Sequence, residues 1–155
     1  MTGPTADLPV PQPRRERTVI DVLDRVAAGH PDLEAYVDGP SRLTYSDLAA
    51  RSAGVAALLR ERGVGPGDVV AIRLPTSIEY ALVYLGALRL GAIATGINPR
   101  LGRREVDGIL ARSRPAVMVV VSAEAGAGVA AAEPGPAPAV LDRLDVATAP
   151  VGDPC

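Results

Sequence analysis

The sequence contains no lysine: all 16 of its basic residues are arginine. That absence excludes every chemistry that needs an amine side chain, including Schiff-base catalysis and the lysine of a nucleotide-binding P-loop. Phenylalanine and tryptophan are missing too, and aromatics reach only 3%. The core must therefore be aliphatic, and four tyrosines are too few for a base-stacking platform. The single cysteine, Cys155, forms no internal disulfide, and the single histidine, His30, is too little for a zinc site. A net charge of −2 leaves no basic footprint for nucleic acid. Long apolar runs are also lacking. The most membrane-like stretch, Tyr80 to Pro99, is interrupted by Arg89, Gly91, Gly96 and Pro99. No membrane span is expected. Met1 to Arg17 has no apolar segment, so the expectation is no signal peptide and a cytoplasmic location.

What is present reads as an ordinary folded chain. Its 155 residues are 48% apolar and 22% charged, which fits one domain. Residues 1–17 are rich in Pro, Arg and Thr without periodicity and read as a disordered leader. An ordered α/β part is expected over residues 18–121, and an Ala/Gly/Pro-rich, poorly ordered tail over residues 122–155. Within that tail, an Ala-rich helix near Glu124 to Glu133 and a short strand near Val140 are weak signals.

The ordered part is punctuated by helix caps. Thr18-Val-Ile-Asp21, Thr44-Tyr-Ser-Asp47 and Thr76-Ser-Ile-Glu79 each have the capping-box spacing, and each precedes an apolar stripe. Gly29, Gly63 and Gly91 stand where the three stripes end. A fourth helix is expected from about Gly102 to Arg112, with a glycine where a hydroxyl would cap better. Between the helices lie the apolar runs Val69–Leu74, Ala92–Thr95 and Ala116–Val121. Such runs alternating with amphipathic helices predict parallel strands in βαβ units. Glu34 to Leu43 reads as a hairpin turning at Asp38-Gly39. The fold class expected is α/β, with an N-terminal helix and β-hairpin followed by parallel βαβαβ units.

Each candidate site has a simpler structural reading. Gly63-Val-Gly-Pro-Gly-Asp68 follows a helix and opens a strand, the reverse of a phosphate loop, and reads as a helix stop plus turn. Gly126-Ala-Gly128-Val-Ala-Ala131 has the G-x-G-x-x-A spacing, but it stands too far from the preceding strand and within low-complexity sequence. His30 reads as a helix-end residue. Asp21, Asp47, Glu79 and Glu105 are accounted for as helix N-terminal acids. Arg103 and Arg104 read as a solvated face, and Tyr36, Tyr45, Tyr80 and Tyr84 as packing residues. No catalytic, cofactor-binding or metal-binding residue is assigned.

Longer motifs carry a resemblance. Leu43-Thr-Tyr-Ser-Asp-Leu48 resembles the first core motif of the adenylate-forming superfamily of acyl-CoA synthetases, aryl-CoA ligases, luciferases and peptide-synthetase adenylation domains. Gly63 to Ser77 is similar to the segment that follows it. Leu88-Arg-Leu-Gly-Ala-Ile-Ala-Thr-Gly-Ile-Asn-Pro-Arg-Leu101 resembles the second core motif, and Asn98-Pro99 points to the acid–CoA ligase branch. Ala116 to Val121 is similar to the next strand. The resemblance implies an N-terminal segment of a ligase that makes an acyl-adenylate from ATP and a carboxylic acid, then a CoA thioester. ATP, Mg and CoA are the cofactors it implies for the parent family, and none is expected for this chain alone. The phosphate loop and the lysines of the family are not in this sequence, so the segment is expected to be inactive by itself. It would be a truncated product, a remnant or an incomplete gene. Two other readings stay open: an assembly module paired with a separately encoded remainder of the ligase, motivated by a strand at Ala116–Val121 without its neighbour, and a small nucleotide-binding protein using Gly126–Ala131.

Overall fold

The computed structural model describes residues 18–122 and 138–152. Its helices begin where the side chains can satisfy the free backbone N–H groups. In α1 (Val19–Gly29), the Thr18 hydroxyl accepts the Asp21 N–H at 3.1 Å, and the Asp21 carboxylate accepts the Thr18 N–H at 2.9 Å. In α2 (Tyr45–Glu61), Thr44 and Asp47 repeat the exchange at 3.1 and 3.0 Å. Both capping boxes stand as their spacing predicts.

The third helix departs from expectation. α3 (Ile78–Arg89) is capped by Ser77, not Thr76, and the Ser77 hydroxyl accepts the Tyr80 N–H at 3.3 Å. The box is therefore one residue out of step. Glu79 turns instead toward Arg143, 3.2 Å away, and leaves the reciprocal bond unmade. A carboxylate from elsewhere fills the gap: Asp38 accepts the Ile78 N–H at 3.2 Å. α4 (Arg103–Ser113) starts at Gly102, whose N–H donates to Glu105 at 2.9 Å.

Gly63 and Gly91 end α2 and α3 in the left-handed region, at φ +85° and +69°. The Val64 N–H reaches Leu59 O and the Ala92 N–H reaches Ala87 O, at 3.1 and 3.0 Å, the six-to-one bond of a Schellman motif. Gly29 needs no such conformation; the chain leaves α1 through His30 at φ −142°. α4 ends on Arg114 at φ 45°, a left-handed conformation that costs a non-glycine residue.

The hairpin pairs β1 (Glu34–Asp38) with β2 (Ser41–Thr44). Asp38 faces Ser41 in the ladder, so the two-residue loop is Gly39-Pro40 rather than Asp38-Gly39. Glycine at φ +56° followed by proline suits a type II′ loop. The shift leaves Asp38 as a strand residue whose side chain caps α3.

β3 (Val69–Arg73), β4 (Ile93–Gly96), β5 (Val117–Val120) and β6 (Ala139–Asp142) form a parallel sheet in the order β4-β3-β5-β6. Alternation sends side chains to two layers. Val70, Ile72, Val117, Val119 and Leu141 join Leu59 and Leu82 under α2 and α3. Ala71, Met118 and Val120 pack with Val106 and Leu110 of α4. Each leucine fully withdrawn from water contributes about 1.5–3 kcal/mol. The two major helices touch closely at Gly86, where a Cβ would stand 2.9 Å from Val55. Arg89 runs from α3 between α1 and α2, where it meets Asp24, the Ser52 hydroxyl and Ala49 O.

Two expectations about the end of the chain change. β5 is an interior strand with β3 and β6 on either side, so the open edges among the described residues belong to β4 and β6. Residues 138–152 are not a loose tail. β6 extends the sheet, α5 (Arg143–Ala147) follows it, and Leu141 and Val146 are buried. The segment then crosses α2, where the Gly152 N–H donates to Ala50 O at 3.1 Å. Gly54 makes this crossing possible, because a Cβ there would lie 1.6 Å from the Pro150 carbonyl oxygen. A run of Ala, Gly and Pro carries little pattern, yet small residues are what such close backbone contact requires. The expected leader over residues 1–17 and the Ala-rich helix near Glu124 to Glu133 lie outside the described residues. No helix among the described residues is long and apolar enough to cross a membrane. Tyr80 to Pro99 is split between α3 and β4.

Candidate functional site

In a parallel open sheet, ligands enter at the carboxyl ends of the strands. Here the chain leaves β3 through Leu74-Pro75-Thr76 and β4 through Ile97-Asn98-Pro99-Arg100, and a cleft of about 490 Å³ opens between them. That volume falls in the range of small-molecule sites. Leu74 and Ile97 form a buried apolar floor. Tyr80, from the first turn of α3, reaches across to Gly96. A Cβ on Gly96 would stand 2.8 Å from the Tyr80 hydroxyl. The backbone of Gly96 is not left-handed, so it is this close approach that calls for glycine.

The loop after β4 is held from two sides. The Asn98 side-chain oxygen accepts the Arg100 N–H at 2.9 Å. The Arg73 guanidinium, at the end of β3, donates from Nη2 to Pro99 O at 3.3 Å and Leu101 O at 3.1 Å. A second, smaller hollow of about 140 Å³ lies beyond Pro99, lined by Arg73, Val120 and Val121. Neither hollow is lined by an acid among the described residues. No group of His, Cys, Asp and Glu side chains suited to a metal ion occurs among the described residues.

The candidates from the sequence lie elsewhere. Gly63–Asp68 stands at the amino end of β3, so the sheet separates it from the cleft. It is a turn, in which Asp68 accepts the Gly65 N–H at 2.8 Å and Gly67 donates to Gly91 O at 2.9 Å. Gly126–Ala131 lies outside the described residues. His30 is exposed at the end of α1, and its carbonyl accepts the Leu33 N–H. Asp21, Asp47 and Glu105 are bound at helix starts. Arg103 pairs with Asp107 at 3.6 Å on the exposed face of α4, and Arg104 is exposed. Tyr36, Tyr45 and Tyr80 pack against the core, whereas Tyr84 is 40% exposed.

Two carboxyls are perturbed, and both by structural partners. The Thr44 backbone N–H and then its hydroxyl hold Asp47 below the usual carboxylate range. For Glu79, burial pushes upward, but its backbone, the Ser77 hydroxyl and Arg143 together outweigh it and bring the carboxyl down. Neither is poised as an acid or base near neutral pH. The cleft itself escaped sequence reasoning. Its one legible signal was Gly96, a glycine inside a strand with no turn to explain it.

Comparison with known proteins places the chain. The family model described as "AMP-binding enzyme" matches residues 23–153. A 2-hydroxy-7-methoxy-5-methyl-1-naphthoate–CoA ligase of Streptomyces carzinostaticus is 38% identical over 98 residues, covering 63% of this chain and 18% of that protein. A long-chain-fatty-acid–CoA ligase of Haemophilus influenzae is 36% identical over 106 residues, 68% of this chain and 19% of its own length. The chain thus spans about a fifth of the curated relatives it matches. Among solved structures, the N-terminal subdomain of Klebsiella oxytoca NpsA superposes with a TM-score of 0.74 at 23% identity, over 88% of this chain and 34% of that one. The anthranilate CoA ligase AuaEII, bound to anthranoyl-AMP, gives 0.63 at 29% identity over 65% of this chain and 20% of its own. The hairpin, the capped helices and the parallel sheet are the amino-terminal part of that architecture, and the chain belongs to the AMP-binding enzyme family.

Proposed function

We propose that these residues form the amino-terminal structural segment of an acid–CoA ligase and do not by themselves carry adenylation. The observation that supports this most directly is the absence of lysine from all 155 residues, coupled with a carboxyl-edge cleft that no acid or histidine lines among the described residues. Activation of a carboxylic acid by ATP builds charge on phosphate and carboxylate oxygens that must be stabilised by placed cations and donors. Arg73 and Arg100 are the charged residues that line the two hollows among the described residues, and Arg73 is already committed to holding a loop. The segment's role in the ligase is to build the sheet and its helix layers.

ATP–pyrophosphate exchange tests the reading. The purified 155-residue chain, offered ATP, Mg and a panel of aryl and fatty acids, is expected to show no exchange above background. Acid-dependent exchange would overturn the proposal.

A second reading has a specific feature in its favour. The outer edge of β6 is open among the described residues, and an unpaired parallel edge invites another strand. The segment would then be an assembly module completed by a separately encoded remainder of the ligase. Co-expression with the carboxyl-terminal remainder of a relative, followed by co-purification and recovered exchange, supports this reading. Failure to co-purify counts against it.

A further inference from the structure

Residues 138–152 are joined to the rest of the molecule at their beginning, middle and end. β6 lies beside β5, with Leu141 opposite Val119, and the Ala139 N–H donates to Ala116 O at 3.0 Å. Arg143, the first residue of α5, meets Glu79 in the first turn of α3 at 3.2 Å. Beyond α5 the chain crosses α2, where the Gly152 N–H meets Ala50 O. Pro150 and Val151 are exposed, so this crossing is backbone laid on backbone. Gly54 and Gly152 permit it, since a Cβ on Gly152 would stand 2.9 Å from the Gly54 nitrogen.

Little apolar surface secures this segment. Leu141 and Val146 are its buried side chains among those described, whereas all four residues of β5 are buried. Buried apolar contact is what offsets the entropy of an ordered chain, so elements with little of it open first. The ion pair divides across the same seam. Glu79 belongs to the body and is largely buried; its Oε1 meets Arg143, and its Oε2 is buried without a hydrogen bond. The charge that compensates this burial is carried by the segment.

We infer that residues 138–152 are a clasp that opens and closes as one unit on a sheet that otherwise stays folded, with the Glu79–Arg143 pair as its latch. Ala116, just before β5, marks the boundary. Its N–H donates to Val69 O of β3 at 2.9 Å, while its carbonyl accepts from Ala139 of the clasp. β5 lies between β3 and β6, so the open clasp bares one edge of β5 and leaves the other paired. Another strand reaches that edge only in the open state.

Native-state amide exchange of the full chain in low urea tests this. Ala139 and Gly152, near opposite ends of the segment, are expected to open with one free energy and one dependence on urea, both smaller than those of Ala116. Arg143→Ala breaks the latch and is expected to speed exchange at both residues by the same factor, about tenfold. Gly54→Ala pushes on the crossing through Pro150 and should speed Ala139 as much as Gly152. Ile72→Val is the contrast, a mild loss in β3 with β5 standing between it and the clasp. It weakens the open and closed states alike, so Ala116 should exchange faster while Ala139 and Gly152 do not change. Different opening energies at Ala139 and Gly152 overturn the inference. So does an Arg143→Ala effect that is absent or confined to α5, and so does a Gly54→Ala effect confined to Gly152. Faster exchange of the clasp residues in Ile72→Val also overturns it, since the sheet then opens as a whole.

Discussion

Arg89 and Asp24 lie 65 residues apart in the chain and meet in a two-fold ion pair, with Nη1 to Oδ2 at 3.0 Å and Nη2 to Oδ1 beside it. The arginine side chain is 9% exposed, and its Nε also reaches the Ser52 hydroxyl at 3.0 Å. One guanidinium thus ties α3 to α1 and α2. Removing one partner of a buried pair leaves the other charge uncompensated. Asp24→Asn and Arg89→Met are each expected to cost about 3 kcal/mol. In the double variant the losses should fall well short of their sum, because the pair acts as a unit. Urea unfolding of the three variants measures this, and strict additivity would show that the residues do not act on each other.

Gly54 should tolerate no side chain. In Gly54→Ala the new Cβ must displace the Pro150 carbonyl, so the crossing segment is expected to lift from α2. A loss of about 1–3 kcal/mol follows from forced overpacking. Amide exchange should rise at Gly152, whose N–H is otherwise held by Ala50 O. Gly29→Ala serves as the contrast. Nothing lies within 4 Å of its Cβ, and it should stabilise by about 0.5–1 kcal/mol.

The cap of α2 predicts a pH dependence. Thr44 lowers the Asp47 carboxyl below its ordinary value in the folded state. A depressed carboxyl contributes stability above its unfolded value and loses it as the pH falls through the folded one. Glu79, also lowered, acts in the same direction. Stability should therefore hold at neutral pH and decline on the acid side below the ordinary carboxylate range. Thr44→Ala should cost about 1 kcal/mol at pH 7. Asp47→Asn should flatten the acid decline. Urea midpoints between pH 7 and pH 3 provide the comparison, and identical slopes in Asp47→Asn and the parent would remove Asp47 as a cause.

Ile93 is 55% exposed on β4, an edge strand among the described residues. An apolar, unpaired edge favours strand-to-strand association, and a charge there opposes it. The isolated chain should self-associate with rising concentration, and Ile93→Arg should reduce this without lowering stability. Sedimentation velocity of both proteins decides the point.

Much of this architecture is legible in the residues because local and tertiary demands agree. Thr18 and Thr44 cap the helices their spacing predicts, and the apolar runs at Val69 and Val117 become interior strands. Disagreements arise where a distant partner competes. Glu79 leaves its box for Arg143, and Asp38 leaves its turn for α3. Neither partner is near in sequence. β6 was hard to read for a different reason: it is four residues long and preceded by low-complexity sequence, so no period can establish itself. Of the carboxyl-edge hollows, only Gly96 leaves a trace in the sequence. Their geometry comes from which strands become neighbours, and no single segment encodes that.

The crossing of α2 by the segment after α5 has a temporal consequence. Gly54 can meet Pro150 only after all the residues between them have been made. Contacts of such long sequence separation close late, because the intervening loop must be ordered first. During synthesis α2 can coil, cap itself and receive α3, while its Ala50–Gly54 flank stays wet. On the ribosome this helix forms before its last contact can be made, and the exposed flank is the surface on which a nascent chain would be open to wrong partners.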